Sequence, residues 1–447
     1  MRIIVIGAGP SGLAIALGLV ARGANVTVLD RASSVGGRVR TLSRDGYTFE
    51  LGPAGILDGA PDTRALLASL GDRAPSIVEA DKGVSRRYLV RNGKPRPLPS
   101  GPVSLLFGSA LSVGERLALV REPFMRRRTD HAPESVAAFA RRRFGVSLAE
   151  TLAQPMVLGV FGGDYAALEL KSAFPAVAAL ETEHGSVLRG FVAEARARRE
   201  RGEARPRLIS FEGGMGSLPA AMAKSLGDRV QLDSEVTELE PGNLVRLADG
   251  RSLVADHVVF ATEHPVASRL TRTVAPELAD ALAAIPSTPI ASVTLGWPRS
   301  AVGHSLAGFG LLSPRKEGLR TMGVLFMTSI FPTAGVAPPD MVQLRAMVGG
   351  GNDPDVLALS DEALILSTCD ELSRLLAITG APAFSHLARW PQAIAQYRVG
   401  HSDQRVAIEA HAAARGLVVA GTALHGVGVN DVIRDAARIV ERLTAAR

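Results

Sequence analysis

Gly7, Gly9 and Gly12, in the run Gly7-Ala8-Gly9-Pro10-Ser11-Gly12, have the spacing of a turn that lets backbone come close to a pyrophosphate. The chemistry open to them is anion binding. Amides at the start of a following helix donate to phosphate oxygens, and the helix dipole favours the negative charge. Asp30 stands where a carboxylate would meet the ribose hydroxyls of a bound dinucleotide. Near the other end, Gly421-Thr422-Ala423-Leu424-His425-Gly426-Val427-Gly428-Val429-Asn430 could aim a second helix N-terminus at a ligand.

Positioning these residues requires a fixed order of elements. The apolar run Ile3 to Ile6 reads as a strand, Leu13 to Val20 as a helix, and Val26 to Leu29 as a second strand that delivers Asp30. At the far end, Gly416 to Ala420 reads as a strand and Val429 to Leu443 as a helix. Arg2 before an apolar stretch could suggest an export signal, but Gly7, Gly9, Pro10 and Gly12 interrupt it. No other segment reaches about 18 consecutive apolar residues, so no membrane-spanning helix is expected. The single cysteine, Cys369, has no internal disulfide partner and suits a reducing, cytoplasmic compartment. Within an expected helix from Ser360 to Leu376 its role is packing.

With 447 residues the chain can form two or three domains, and with 47% hydrophobic but only 4% aromatic residues their cores are built from Ala, Leu and Val. The net charge of +6 is unevenly spread: Lys82 to Arg207 holds 22 Lys and Arg against 12 Asp and Glu. That segment includes Arg126-Arg127-Arg128, Arg141-Arg142-Arg143 and the arginines from Arg196 to Arg207. Solvated helix faces, an anionic membrane surface and nucleic acid would each suit such charge. Nucleic acid is the weakest of the three, since no binding motif or interleaved aromatic residues accompany it. Val103, Leu105, Leu106, Phe107, Leu111, Val113, Leu117, Leu119 and Val120, between Pro97 and Phe124, offer an apolar surface beside the basic run. They could lie in a membrane interface or pack internally.

Strand signals after the Arg-rich stretch resume at Arg207 to Phe211, Val230 to Leu232 and His257 to Ala261. Further strands are expected at Ile290 to Leu295, Gly308 to Leu312, Met322 to Phe326 and Val342 to Val348. A chain that leaves a nucleotide-binding sheet and returns to complete it fits a flavoprotein. Val35-Gly36-Gly37-Arg38 follows the acid, with the doublet passing close to the cofactor and Arg38 available to the pyrophosphate; Phe49-Glu50-Leu51-Gly52-Pro53 comes next. Together they point to FAD. Amides of the C-terminal turn, set against the pyrimidine side of the flavin, would stabilise the reduced ring.

The chain resembles the oxygen-dependent protoporphyrinogen oxidase family, related to amine oxidases and phytoene desaturases. The resemblance runs end to end and rests on the N-terminal fingerprint, Phe49 to Pro53, Gly159-Val160-Phe161-Gly162-Gly163-Asp164, Phe309-Gly310-Leu311-Leu312, Ala395-Gln396-Tyr397 with Gly400-His401, and Gly426 to Asp431. It implies an α/β fold: an FAD-binding Rossmann-like domain (1–81, 208–266 and 388–447), a helical, Arg-rich membrane-docking insertion (82–207) and an α+β substrate domain (267–387). FAD would contact Gly7, Ala8, Gly9, Pro10, Ser11, Gly12, Asp30, Arg31, Gly37, Arg38, Gly52, Pro53, Ala54, Gly55, Val236, Thr422, Val427, Gly428 and Val429. Arg87 would pair with a propionate through its planar fork. Phe309, Gly310, Leu312 and Met347 would wall a flat apolar slot, with Phe161 extending it. Ala54 and Arg31 depart from the family pattern, the first being smaller and the second larger than the residues common there.

The implied reaction is six-electron oxidation of protoporphyrinogen IX to protoporphyrin IX, with O2 as acceptor and H2O2 as product. Each of three cycles would move a hydride from a meso carbon to flavin N5 and release an N–H proton. Coproporphyrinogen III, with four carboxylates, is the alternative substrate. An amine oxidase is less well supported, and a carrier without flavin is a different class again. No general base is expected; His184, His401 and His425 lack an identified partner in sequence. The expected location is cytoplasmic, peripheral on the cytoplasmic face of the inner membrane, with haem-pathway enzymes as partners.

Overall fold

The computed structural model describes residues 1–98, 110–130 and 132–445. Its first sheet is parallel, in the order Val230–Gln231, Asn25–Leu29, Arg2–Ile6, His257–Phe260, Leu417–Val419. Strand side chains alternate between faces, and here both faces are covered. Ile4, Ile6, Val258, Phe260 and Val419 enter one core, while Ile3, Val5, Val259 and Val418 enter another. That double burial explains the unbroken apolar runs of the sequence.

Two helices that follow glycine turns, Pro10–Ala21 and Val429–Ala445, pack against each other on this sheet. Gly18 makes the contact possible, because a Cβ there would lie 2.7 Å from Val440 Cγ2. Packing thus brings the two ends of the chain together. Both turns leave the carboxyl ends of parallel strands, where open α/β sheets bind ligands.

The second sheet has seven strands, in the order Phe384–Ala395, Ser287–Pro298, Met341–Gly349, Thr321–Phe326, Gly310–Leu312, Arg87–Arg91, Lys94–Pro97. Two expected boundaries move as a result. Residues 87–97 were expected to belong to the helical insertion, but Arg87–Arg91 pairs in parallel with Gly310–Leu312 and buries Tyr88, Leu89 and Val90. Strand Phe384–Ala395 likewise carries this sheet past the expected end at 387. Helix Asp361–Leu376, N-capped by Ser360, covers one face and half-buries Cys369, whose thiol is pushed up to about 11 by burial.

In chain order, between strands Lys94–Pro97 and Leu208–Phe211, come helices Val113–Arg121, Val136–Leu148, Gln154–Phe161, Pro175–His184 and Val187–Glu200. Their arginines divide into two groups. Arg143 is 2% exposed and pairs with the fully buried Glu122, while Arg142 bridges Glu134 at 3.0 Å and Glu181 at 2.7 Å. Arg121, Arg126 and Arg127 face solvent. The run 141–143 is therefore largely internal glue, whereas Arg126 and Arg127, like Arg196, Arg199, Arg201, Arg205 and Arg207, are exposed. Val136–Phe161 is long and apolar enough to cross a membrane, but Gly145 (φ +80°) breaks it and Phe139, Val157 and Phe161 are core residues.

Candidate functional site

The N-terminal glycines are fixed by close approach. A Cβ on Gly7 (φ +111°) would meet the Ala261 carbonyl oxygen at 2.6 Å, and one on Gly12 would meet the Gly7 oxygen at 2.0 Å. Gly9 caps helix Pro10–Ala21 with no side-chain hydrogen bond, and the Ser11 hydroxyl is buried without a partner among the described residues. Asp30 accepts from the Ala8 amide at 2.6 Å and the Ala32 amide at 2.9 Å, holding the turn against the acid. Arg31 lies exposed beyond it. The Ser234 amide donates to the Asp30 carbonyl, which brings the strand of buried Val236 to the same end.

The second glycine doublet packs onto the first turn. Gly36 donates to the Ala8 carbonyl at 2.9 Å, and a Cβ on Gly37 would sit 3.5 Å from Gly9 Cα. Arg38 follows, paired with Glu263 at 2.8 Å and donating to the Ala393 carbonyl at 2.6 Å and to the Gln392 carbonyl; its Nε is buried and unpartnered among the described residues. Gly52 touches the same place, since a Cβ there would lie 1.9 Å from the Arg38 oxygen. Pro53, Ala54 and Gly55 continue the loop, half-buried, with Ala54 against the cluster of Met327, Ile330, Phe331 and Val336. Bare helix amides, an orphaned buried hydroxyl and a cradle that any Cβ would fill fit a dinucleotide cofactor.

The C-terminal turn closes over this loop. Asn430 donates to the Leu57 carbonyl and accepts from Thr63, which ties the start of the last helix to the chain just beyond Gly55. Thr422 and Val427 are half-buried, Val429 is buried and Gly428 is exposed, its amide donating to Asp431 at 3.0 Å. On the outer side, His425 meets Glu409 at 2.8 Å and Arg405 at 3.2 Å, and Arg438 reaches Glu409 at 2.9 Å. The His425 contact leads in holding the Glu409 carboxyl down at about 2. His401 is buried, which pushes it down to about 4 and keeps it neutral.

In the second sheet Arg87 stands beside Gly310 in register, its guanidinium 5.3 Å from the Phe309 ring centroid. Gly310 (φ +150°) is required there, since a Cβ would fall 2.0 Å from the Val324 oxygen. Leu312 and Met347 both pair with Gly323, which leaves a shallow floor between two half-buried apolar side chains. Met347, Ala393 and Ile394 all pack against the cluster of Leu158, Ile290 and Met322, and the Ala393 carbonyl is one that Arg38 grips. At the other end Phe309 shares a cluster with Ala54. Gly310, Leu312 and Met347 thus share one face of the sheet in register, beside Arg87 and Phe309.

Phe161 does not join them. It is 1% exposed, with its ring 5.5 Å from both Phe174 and Tyr397, so it belongs to the core; its neighbours Met156 and Val160 on the same helix face outward. Sequence reasoning also left Tyr397 and Gln396 without a role, though both stood in a motif. Ala261, which meets Gly7 from the end of the neighbouring strand His257–Phe260, carried no signal because its contribution is a backbone oxygen.

The family model described as flavin containing amine oxidoreductase matches residues 10–444. The chain is 31% identical to the chloroplastic protoporphyrinogen oxidase of Nicotiana tabacum, over 99% of this chain and 85% of that one. It is 30% identical to the coproporphyrinogen III oxidase of Propionibacterium freudenreichii subsp. freudenreichii, over 97% and 89%. An Exiguobacterium sp. 255-15 protein crystallised as a candidate protoporphyrinogen oxidase superposes with a TM-score of 0.84 at 22% identity, over 100% and 99% of the two chains. A putrescine oxidase triple mutant superposes with a TM-score of 0.72 at 17% identity, over 100% and 99%. These last two establish the fold alone. Matched along nearly its whole length, the chain belongs to the flavin containing amine oxidoreductases and, within them, to the family of the protoporphyrinogen and coproporphyrinogen III oxidases, as an FAD-dependent oxidoreductase.

Proposed function

We propose that this enzyme oxidises protoporphyrinogen IX to protoporphyrin IX, three O2 being reduced to three H2O2 as six electrons and six hydrogens leave the macrocycle. FAD, when bound along Gly7 to Gly12, Gly37, Arg38, Gly52 to Gly55 and the C-terminal turn, supplies the two-electron acceptor of each cycle. The observation that carries the substrate is Arg87 over Phe309, on the sheet face that also bears the half-buried Leu312 and Met347. A propionate would take the guanidinium fork while the macrocycle lies against Phe309, Leu312 and Met347. The protein's part is to hold the ring and exclude water. No histidine is assigned as base: His401 is sealed in the core, and His264 is committed to the Ile285 carbonyl at 2.8 Å.

Anaerobic mixing with each porphyrinogen tests this. Protoporphyrinogen should bleach the flavin faster; faster bleaching by coproporphyrinogen reassigns the enzyme to the substrate with four carboxylates. Arg87→Ala should raise KM roughly tenfold to a hundredfold with little change in kcat, because a propionate is remote from the reacting carbon. An unchanged KM removes Arg87 from the site.

A peripheral contact with anionic membrane on the cytoplasmic face is part of the same proposal. Val113, Leu117 and Val120 form a stripe on one helix face with exposures of 70%, 64% and 54%, and Phe124 just beyond is 79% exposed. Arg121, Arg126 and Arg127 flank the stripe, as interfacial binding requires. Leu111 and Leu119 instead pack inward, and Val103 to Phe107 lie outside the described residues. The protein should float with anionic vesicles at low salt, and Leu117→Glu with Phe124→Glu should weaken retention roughly a hundredfold. Wild-type protein that does not float overturns the contact. Location near the membrane would also place it beside other haem-pathway enzymes.

A further inference from the structure

Gln396 and Tyr397 join the cofactor turn to the substrate slot. Tyr397 is fully buried, and its hydroxyl donates to the Thr422 carbonyl at 2.8 Å while accepting from the Gly426 amide at 2.8 Å. One oxygen thereby closes both ends of the turn that leads to Gly428. The phenol stays protonated because burial pushes its pKa up, so it must donate one bond and is free to accept another. Its ring stacks on His401 at 4.1 Å with the planes 9° apart and meets the edge of Phe161 at 5.5 Å. The ring is therefore held independently of the hydroxyl.

Gln396, the residue before it, serves another element. Its amide nitrogen donates to the Phe161 carbonyl at 2.9 Å and the Ile394 carbonyl at 3.0 Å. Gly163 has no side chain because a Cβ there would overlap Gln396 Oε1 at 1.8 Å. The helix ended by Phe161 backs the slot: a Cβ on Gly159 would lie 3.2 Å from Leu312 Cδ2. The two neighbouring side chains thus reach the two bodies whose separation fixes how far a bound ring lies from the cofactor.

We propose that Gln396 and Tyr397 are paired positioning residues, Tyr397 setting the cofactor-facing turn and Gln396 setting the slot wall against it. The inference rests on the porphyrinogen reading above. Neither side chain touches a reacting atom. Their effect follows from geometry, since a shift of about 1 Å between reacting partners costs roughly a hundredfold in rate.

The two variants should separate cleanly. Tyr397→Phe keeps the ring packing and leaves Thr422 O and Gly426 N unpaired, so FAD affinity should fall about tenfold. If that loss falls mainly on the reduced form, the two-electron midpoint potential drops by about 30 mV. Gln396→Met keeps the volume, and it should slow anaerobic flavin reduction while leaving FAD affinity and potential unchanged. Wild-type affinity and potential in Tyr397→Phe overturn the proposal, and these readouts need no substrate. Should Tyr397→Phe fail to fold, Gln396→Met decides alone, an unchanged reduction rate overturning the proposal. If wild-type protein binds FAD but no porphyrinogen bleaches it, the substrate reading fails while the Tyr397 result still stands.

Discussion

Gly12→Ala is expected to give a folded but colourless protein. The added methyl would sit 2.0 Å from the Gly7 oxygen and 3.1 Å from Ala261 Cβ, so the turn must open. Gly7 has little room to yield, because the space a Cβ would take on it is closed by the Ala261 oxygen at 2.6 Å and its amide is bonded to Leu29 O at 2.7 Å. Overpacking of this kind costs about 3 kcal/mol, which corresponds to roughly a hundredfold loss of FAD affinity. Gly23 at the other end of the same helix is the control. It has φ +76° but nothing within 4 Å of its Cβ position, so Gly23→Ala should cost only the local backbone strain of about 1–2 kcal/mol and keep its colour. Titrating FAD into both apoproteins compares them, and wild-type affinity in Gly12→Ala would mean the turn does not bind the cofactor.

The parts of the site written locally in the chain were legible. The glycine spacing, the Ile3 to Ile6 run and Asp30 all act within a few residues of one another, so local pattern and final structure agree. Partners far apart were not legible. Arg87 was placed beside the slot by resemblance, but the strand that carries it was assigned to the helical insertion, because its pairing partner Gly310–Leu312 lies more than 200 residues on. Phe161 was placed along the slot by resemblance; packing against Phe174 and Tyr397 turns its ring inward. The arginine run 141–143 read as one charged surface. Its carboxylate partners stand 21 and 38 residues from Arg143, and no sequence period announces them.

Those hidden ion pairs join helix Val136–Leu148 to helix Pro175–His184 and to the turn that carries Glu122. Glu122 accepts from Arg143, from the Ser186 hydroxyl at 2.6 Å and from the Val187 amide at 2.9 Å, all out of solvent. Removing Glu122 takes from the buried Arg143 its nearer carboxylate and leaves it Glu181 at 3.3 Å, so Glu122→Ala should destabilise the protein by about 3 kcal/mol. Replacing both, as Glu122→Leu with Arg143→Met, should restore much of that loss, since a buried pair traded for apolar packing is often neutral. The pH dependence has a definite sign. Burial alone would push Glu122 up, but Ser186, Arg143 and the two amides outweigh it and leave its pKa below the ordinary value of 4.5. Glu115, held by the Ser112 amide, Thr151, Arg91 and Ser147 against the same penalty, is lowered to about 2. Carboxylates depressed by folding stabilise the native state above their unfolded pKa, and that contribution is lost as pH falls from about 4.5 toward 2. Urea unfolding across this window should show a steep acid loss in the wild type and a shallower one in the double variant, whose Glu122 proton uptake is gone. An equally steep loss in both would assign the acid sensitivity to other groups, and a Glu122→Ala protein within about 1 kcal/mol of wild type would show that the pair is not buried as described.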